Sequence, residues 1–271
     1  MNSQDVTKPA PVLPVAAGSP DALLEEVWGD ELADDDEATM SWLWQGYLAP
    51  GCITLLTSQW KSGKTTLVSV FLSRLQAGGQ LAGLPLAAGK AIVVSEEGKK
   101  QWRRRGRQLA FGRQVCLICR PFRGKPRPEQ WLALLNRLAV LHERHGFNLV
   151  VFDTLASFLP GRDENTAGTI MTYLAPLLEL AERNLSILLL HHPRKGENLA
   201  GQAARGSGAL PAFVDIVLEM DWCGRFSLDD RRRRRGPGNA AQSSSGPGTI
   251  SVAQRGRSGG LAADDPGEHP D

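Results

Sequence analysis

The sequence predicts an α/β domain with a mainly parallel sheet flanked by helices, lying between two tails that do not pack. Short runs of almost wholly apolar residues alternate with stretches of helical periodicity through residues 40–222. Such runs are typical of strands covered on both faces, and their alternation with helices is typical of parallel sheets. The 271 residues are enough for one large domain with a substantial core.

The apolar runs set the positions of the strands, and the periodic stretches set those of the helices. Strands are predicted at residues 52–57, 91–95, 115–119, 148–152, 186–190 and 214–219. Helices are predicted at residues 65–76, 101–111, 128–145, 166–183 and 202–210. The runs have the usual length of strands, whereas the periodic stretches are long enough for two helical turns or more.

The two ends of the chain differ in composition from the middle. Residues 1–39 combine Pro and Ala with ten acids, against Lys8 as the single base, and are predicted to form a disordered acidic arm. Residues 223–271 contain no aromatic residue after Phe226 and include "RRRRRGPGNAAQSSSGPG". This low-complexity composition predicts a disordered tail. A shift of reading frame in the source gene is one hypothesis for such a tail.

Charge, cysteine content and hydropathy restrict the class of protein. The net charge of +2 does not indicate a charged partner, and four cysteines in a chain of this length do not suggest a disulfide framework. No apolar run reaches the length of a membrane span, and the N-terminus lacks the pattern of a signal peptide. The sequence therefore predicts a soluble cytoplasmic protein that does not bind membranes.

A phosphate-binding loop is predicted at "LLTSQWKSGKTTL", residues 55–67, which ends on the pattern G-x-x-x-x-G-K-[ST]. An apolar strand precedes this loop and an amphipathic helix follows it, which is the context that the motif requires. Backbone N–H groups and a helix N-terminus bind anions there. The predicted nucleotide contacts are Ser58, Gln59, Trp60, Lys61, Ser62, Gly63, Lys64, Thr65 and Thr66.

Three residues of this loop have separate predicted roles. Gly63 lets the backbone pass close to the phosphates, Lys64 reaches the β- and γ-phosphates, and Thr65 binds Mg²⁺ through its hydroxyl. Ser58 departs from the pattern, because it occupies the position of the first glycine. Serine fits many turns but pays a steric penalty if φ must be positive, so we expect Ser58 to weaken the site without abolishing it.

Two further strands are predicted to end in carboxylates at the same edge of the sheet. "NLVVFDT" ends with Asp153, and "AIVVSEEG" carries Glu96 and Glu97. Open α/β sheets bind ligands at this edge, so we expect Asp153 to hold Mg²⁺ through water or Thr65. One glutamate can act on the attacking water, and because neighbouring residues of a strand point opposite ways, only one is expected to face the nucleotide. A loop-starting acid and a solvated pair remain the alternatives.

The predicted strand "SILLLHHPRKG" ends in His191 and His192. These residues have three interpretations: a γ-phosphate sensor, a metal-binding pair, or the polar cap of a strand end. Adjacent histidines on a strand diverge and no further Cys or His lies nearby in the sequence, which disfavours the metal-binding pair.

Five of these segments occur in an order that resembles the RepA-like branch of the RecA-fold ATPases, relatives of DnaB and KaiC. They are "LLTSQWKSGKT", "AIVVSEEG", "NLVVFDTLASFLPGRDENTAG", "SILLLHHPRKG" and "ARGSGALPAFVDIVLEM". The resemblance covers about residues 42–222 and implies a RecA-like P-loop domain at 40–222. It also implies Mg²⁺-dependent ATP hydrolysis and assembly as homo-oligomeric rings with ATP at subunit interfaces.

The resemblance also implies roles for single residues. It makes Asp153 the Walker B acid and Glu97, rather than Glu96, the catalytic glutamate. His192 falls at the sensor position, which is Gln or His in relatives. Arg205 matches an arginine that reaches into the site of a neighbouring subunit, where it stabilises charge in the transition state.

A basic segment, "KKQWRRRGRQ", follows the predicted strand 91–95. Helical spacing puts Arg103, Arg104 and Arg107 on one flank, and with Trp102 they resemble a surface that binds nucleic-acid phosphates. An ordinary solvated helix face is the alternative. The resemblance adds that "ASFLPGRDENTAG" and "RKGENLAGQAARG" correspond to central loops that can touch DNA.

These observations together predict an ATP- and Mg²⁺-binding ATPase that couples hydrolysis to movement on single-stranded DNA, as a helicase-like replication or repair factor. A nucleotide-binding regulator with slow hydrolysis is the first alternative. An inactive remnant of a mobile element is the second.

Overall fold

The computed structural model of the protein describes residue 28 and residues 41–58, 62–161, 167–192, 209–222 and 250–256. Within these ranges the predicted fold class, an α/β domain of the P-loop NTPase type, is confirmed. One seven-stranded sheet carries helices on both faces, and a separate two-stranded hairpin lies beside it. No helix of the described ranges is both long and apolar enough to cross a membrane.

The strands of the structure are β1 (Ile53–Thr57), β2 (Gly79–Leu81), β3 (Leu84–Leu86), β4 (Ala91–Ser95), β5 (Val115–Cys119), β6 (Leu149–Asp153), β7 (Ser186–His191), β8 (Ile216–Trp222) and β9 (Ile250–Gly256). The order across the sheet is β5-β4-β6-β7-β1-β8-β9. All neighbours from β5 to β8 run parallel, and β9 is antiparallel to β8. The strands β2 and β3 form the hairpin.

The helices are α1 (Lys64–Arg74), α2 (Lys99–Leu109), α3 (Pro128–His145), α4 (Ala167–Ala181) and α5 (Ala209–Phe213). The bounds of α3 are those predicted. Pro128 starts this helix, because a first-turn residue needs no N–H, and Gly146 ends it with a φ of 65°. Most of the helix predicted at 202–210 lies outside the described residues.

The core has two halves, one on each face of the sheet. Helices α3 and α4 cover one face with buried residues that include Trp131 and Leu174. Helix α1 covers the other face with Phe71, and α2 adds Trp102. Every residue of β1, β4 and β6 is therefore buried, which explains why these strands have apolar sequences without polar alternation.

Two elements were not predicted from the sequence. The β2–β3 hairpin has strands of only three residues, which is too short for a recognisable period. Strand β9 lies in the tail predicted not to pack, and the structure differs there, because residues 250–256 pair with β8 along its whole length. Pairing with an edge strand needs only backbone N–H and C=O groups, so a surrounding low-complexity composition does not prevent it.

The topology brings the ends of four strands to one edge of the sheet. Ser95 lies beside Asp153 at the ends of β4 and β6, and Thr57 lies beside His191 at the ends of β1 and β7. Since β7 separates β1 from β6, the loop after β1 faces Asp153 across the width of one strand. The predicted phosphate loop and the predicted carboxylates therefore share one edge.

Candidate active site

The loop after β1 ends at Gly63, the residue before the first turn of α1. Gly63 has a φ of 98°, which residues with a Cβ rarely adopt, although nothing within 4 Å would obstruct a Cβ there. The requirement for glycine is therefore conformational. Gln59, Trp60 and Lys61 lie outside the described residues. A cleft of about 240 Å³ opens here, lined by Ser62, Gly63, Lys64, Thr65, Thr66 and His192.

The side chain of Lys64 is buried, with 4% of the residue exposed. Its ammonium lies 2.7 Å from the carbonyl oxygen of Ser58, 2.8 Å from the Oγ of Ser58 and 2.9 Å from the Nδ1 of His192. Burial lowers the pKa of Lys64 to about 8, and the charge of Asp153 opposes this shift. The site therefore holds a costly positive charge, and Ser58 and His192 are among its polar contacts.

His192 meets Lys64 through Nδ1. Because an ammonium only donates hydrogen bonds, Nδ1 accepts and the imidazole proton lies on Nε2. Burial, Lys64 and His191 all lower the pKa of His192, to about 4, so this side chain is neutral at pH 7. His191 and His192 thus lie at the same edge as the phosphate loop. Within the described residues, no group of three or more His, Cys, Asp or Glu could hold a metal ion.

Asp153 ends β6 and is 3% exposed. Thr65 donates a hydrogen bond from Oγ1 to Oδ1 of Asp153 over 3.3 Å, whereas Oδ2 is buried and has no hydrogen-bond partner. Burial is the main cause that raises the pKa of Asp153 to about 6, and the charges of Glu97 and Glu96 add to it. A buried, unpaired carboxylate oxygen is unfavourable without a cation or donor.

The oxygens of Thr65 and Asp153 fit a magnesium ion. Mg²⁺ prefers oxygen ligands and is usually held by one or two protein groups, with water and substrate phosphates completing its shell. The orphaned Oδ2 of Asp153 supplies one such oxygen, and the adjacent Thr65 hydroxyl supplies another. The residues present are therefore sufficient for this ion, although they form no metal cluster of their own.

Glu97 is held by an arginine of α2. Both terminal nitrogens of Arg105 donate to its two carboxylate oxygens, and the Nη2–Oε1 distance is 2.9 Å. The backbone N–H of Glu97 donates to Ser95 Oγ over 3.1 Å, and the guanidinium of Arg105 lies 5.1 Å from the ring centre of Trp102. Hydrogen bonding to Glu97 raises the pKa of Arg105. Glu97 is thus fixed in place by a charged partner.

Glu96 points to a different neighbour. Its Oε2 accepts a hydrogen bond from the hydroxyl of Ser157, and its backbone N–H donates to the carbonyl oxygen of Asp153 over 2.8 Å. Arg120 donates from Nε to the backbone oxygen of Glu96 over 3.0 Å. The two glutamates therefore have different partners, and both follow the end of β4 at Ser95, so neither lies on the strand as the sequence predicted.

Sequence reasoning did not single out Arg105, Ser157 or Arg120. Arg105 belongs to the basic segment that follows β4, but only Arg103, Arg104 and Arg107 of that segment were predicted to bind nucleic-acid phosphates. Trp102 and Arg105 are three residues apart, which puts them on the same side of a helix. This spacing could have predicted that Arg105 lies on the side of α2 that carries Trp102. Ser157 lies in the segment "ASFLPGRDENTAG", but a contact with Glu96 was not predicted for it, and nothing in the sequence around Arg120 distinguishes that residue from other loop residues.

The basic flank of α2 is only partly as expected. Arg103, Arg104 and Arg107 are exposed, whereas Trp102 is 1% exposed and packs in the core. Trp102 therefore does not belong to a surface that could stack on bases. Arg205 and the whole of the predicted DNA-contacting loop 194–206 lie outside the described residues, as do residues 162–166 of the other predicted loop, 156–168.

A larger open cleft of about 900 Å³ lies at the opposite edge of the sheet, near the starts of β4, β5 and β6. Lys90, Arg113, Gln114 and His145 are among its lining residues. Among the described residues that line it there is no carboxylate, so it lacks the groups that a nucleotide–magnesium complex requires. Chemistry therefore favours the smaller cleft at Lys64.

One of two comparisons with known proteins returned a match. A family profile described as "AAA domain" matches residues 20–198, which is more than half of the chain. The match includes Lys64, Glu97, Asp153 and His192, and it ends before Arg205. A comparison with curated proteins found no match. The chain belongs to the AAA domain family.

Proposed function

We propose that this protein is a Mg²⁺-dependent ATPase of the RecA/RepA-like type, which cleaves the β–γ bond of ATP and couples the cleavage to contact with single-stranded DNA. The AAA domain match supports a nucleotide-binding ATPase. The observation that carries the proposal is the buried Oδ2 of Asp153, unpartnered, beside the Thr65 hydroxyl at the edge that also presents Lys64. A bound triphosphate would place negative charge beside Lys64, and its metal ion would place positive charge beside Asp153.

The binding step uses the residues of the loop. Backbone N–H groups at the start of α1 face the phosphates, and the φ of 98° at Gly63 brings the chain into that position. Lys64 donates to the β- and γ-phosphate oxygens, and Thr65 and Asp153 hold Mg²⁺. When bound between Thr65 and Asp153, Mg²⁺ would supply positive charge that neutralises the charge developing on the phosphates.

The hydrolysis step requires a group that orients a water molecule in line with the β–γ bond. Glu97 accepts the proton of this water as its oxygen attacks the γ-phosphorus, and the bridging oxygen leaves with ADP. Its place in the charged network around Asp153 supports this role. His192 senses the γ-phosphate, and Arg205 of a neighbouring subunit stabilises the transition state.

Coupling to DNA is assigned to the exposed flank formed by Arg103, Arg104 and Arg107. These side chains lie on α2, the same helix whose Arg105 contacts Glu97. Helix α2 therefore connects DNA to the hydrolysis site, because one side of it binds DNA phosphates and Arg105 on its other side contacts Glu97. Ring assembly and a cytoplasmic location belong to the same proposal.

A second candidate function is a nucleotide-binding regulator with slow hydrolysis. The ion pair between Glu97 and Arg105 favours it, because the guanidinium contacts both carboxylate oxygens, which are then not free to bind the attacking water. In this case the nucleotide controls the oligomeric state, and DNA has no effect on turnover.

The rate of ATP hydrolysis with and without single-stranded DNA separates these functions. We expect DNA to stimulate the wild-type protein, and Lys64→Ala to abolish turnover. Lys90→Ala is the matched control, since Lys90 is exposed at the opposite edge of the sheet. ATP binding without stimulation by DNA supports the regulator. Absence of ATP binding, or full activity of Lys64→Ala, contradicts the assignment of the site.

A further inference from the structure

We propose that Ser58 is a positioning residue that competes with phosphate for the ammonium of Lys64 and thereby weakens the binding of ATP. This inference rests on the proposed function, since it concerns the same nucleotide cleft. It gives the serine that replaces the first glycine of the motif a chemical role of its own.

Two atoms of Ser58 accept hydrogen bonds from the ammonium of Lys64. The ammonium of Lys64 donates to the carbonyl oxygen of Ser58 at 2.7 Å and to its Oγ at 2.8 Å. Ser58 is 3% exposed, so both bonds are shielded from water. Hydrogen bonds to a charged donor in such surroundings are stronger than those between neutral groups.

The hydroxyl of Ser58 is also fixed by a second neighbour. Its Oγ is in hydrogen-bond contact with the Oγ of Ser62, which is 4% exposed. Lysine cannot accept hydrogen bonds, so Ser58 Oγ accepts from Lys64 and can donate its own proton to Ser62. The hydroxyl is therefore oriented toward the ammonium before any ligand arrives.

The effect of Ser58 comes from its hydroxyl, because its backbone carries no sign of strain. Among the described residues other than glycine, positive φ angles occur at Ala82, Ala110, Arg120 and Asn184, and Ser58 is not one of them. The steric penalty expected from the sequence is thus absent. A glycine at position 58 would remove the Oγ contact of Lys64 and keep its contact with the carbonyl oxygen of residue 58.

An incoming triphosphate must replace these contacts at Lys64. Loss of the Oγ contact offsets part of the gain from the new phosphate contacts, and we expect a reduction in affinity of about three- to tenfold. Once the nucleotide is bound, Lys64 faces phosphate in every variant. The expected signature is therefore a change in KM with a kcat that stays within about twofold.

The test is the Kd of a non-hydrolysable ATP analogue with Mg²⁺, measured by calorimetry on the full chain. Ser58→Ala and Ser58→Gly should both bind about three- to tenfold more tightly than the wild type. The Lys64→Ala variant has no ammonium that Ser58 could bind. Adding Ser58→Ala to this variant should therefore leave its Kd unchanged. Thermal unfolding of each variant confirms that it is folded.

Each other outcome overturns the inference in a recognisable way. Tighter binding by Ser58→Gly alone would assign the effect to backbone geometry. Unchanged or weaker binding by Ser58→Ala, with a wild-type protein that binds, would refute the competition but leave the proposed function intact. Failure of the wild type and of every variant to bind would refute the proposed function itself.

Discussion

Thr65 Oγ1 lies 3.3 Å from Asp153 Oδ1, which joins the first turn of α1 to the end of β6. The contact links two residues 88 positions apart in the chain. It leaves the second oxygen of Asp153 buried without a partner, at the edge of the sheet where α1 begins with Lys64. The site thus keeps a negative and a positive buried group in place before any ligand binds.

Asp153 should make the ligand-free protein less stable as pH rises. Its pKa is about 6 in the folded protein, against an ordinary value of 3.8 for an aspartate, so the folded state binds more protons between these two pH values. The contribution of Asp153 to the free energy of unfolding is therefore complete below pH 4 and is lost as pH rises through 6. Asp153→Asn should remove this dependence, with a difference of up to about 3 kcal/mol at pH 7.

Urea unfolding between pH 4 and 7.5, without Mg²⁺ or nucleotide, measures the effect of Asp153→Asn. The exposed Glu182→Gln is the control for loss of a carboxylate. A pH profile of Asp153→Asn that parallels the wild type would contradict the assigned burial and charge of Asp153.

The two glutamates should differ in their effect on turnover. Glu97→Gln is expected to lower kcat by about 10²-fold or more while ATP still binds, because a general base contributes on that scale. Glu96→Gln should change kcat by less than about fivefold, since its partner Ser157 lies outside the phosphate loop. Steady-state ATPase rates and nucleotide affinity of both variants decide the point, and a reversed order would make Glu96 the catalytic residue.

The basic flank of α2 should determine the salt dependence of DNA binding. Replacing Arg103, Arg104 and Arg107 with Ala should weaken single-stranded DNA binding and reduce the slope of log K against log salt by about 2, since each phosphate contact contributes about 0.7. Fluorescence anisotropy over a salt series measures this slope.

The matched control for this DNA prediction removes the same charge elsewhere. Arg113, Arg123 and Arg144 are exposed and lie outside α2. Their replacement by Ala should leave most of the affinity and slope in place. Equal losses in the two triple variants would show that net charge, and not the flank of α2, governs binding.

A methyl group at position 63 would meet no neighbouring atom, but the backbone conformation of Gly63 is unfavourable for any residue with a Cβ. Gly63→Ala is expected to cost about 1–2 kcal/mol of stability, because its φ of 98° is unfavourable for a residue with a Cβ. Nucleotide affinity should fall with it. Gly124→Ala is the control, since a Cβ there also meets nothing within 4 Å and the φ is ordinary. Similar stabilities of the two variants, measured by urea unfolding, would refute the conformational requirement at Gly63.

The sequence was sufficient for the elements that determine the edge of the sheet. Buried strands such as β4 and β6 have continuous apolar runs that end in acids, so both their position and their polar ends are readable. Long helices such as α3 carry their own start and stop residues. The gathering of Lys64 and Asp153 then follows from the rule that parallel strands present their ends at one edge.

What could not be predicted depends on contacts between distant segments. The pairing of Glu97 with Arg105 and of Glu96 with Ser157 is set by how α2 and the loop after β6 pack on the sheet. The burial of Trp102 depends on which side of α2 meets the core. Strand β9 has a partner only because β8 offers an edge, which local composition cannot indicate.

A crystal structure with Mg²⁺ and a non-hydrolysable ATP analogue tests the central claim most directly. We predict that Lys64 Nζ has left Ser58 and lies about 2.8 Å from phosphate oxygens. We also predict that Mg²⁺ lies about 2.1 Å from Thr65 Oγ1, with Asp153 bound to it directly or through water. A nucleotide bound elsewhere, for example in the cleft beside Lys90 and Arg113, with Lys64 still on Ser58, would contradict the account.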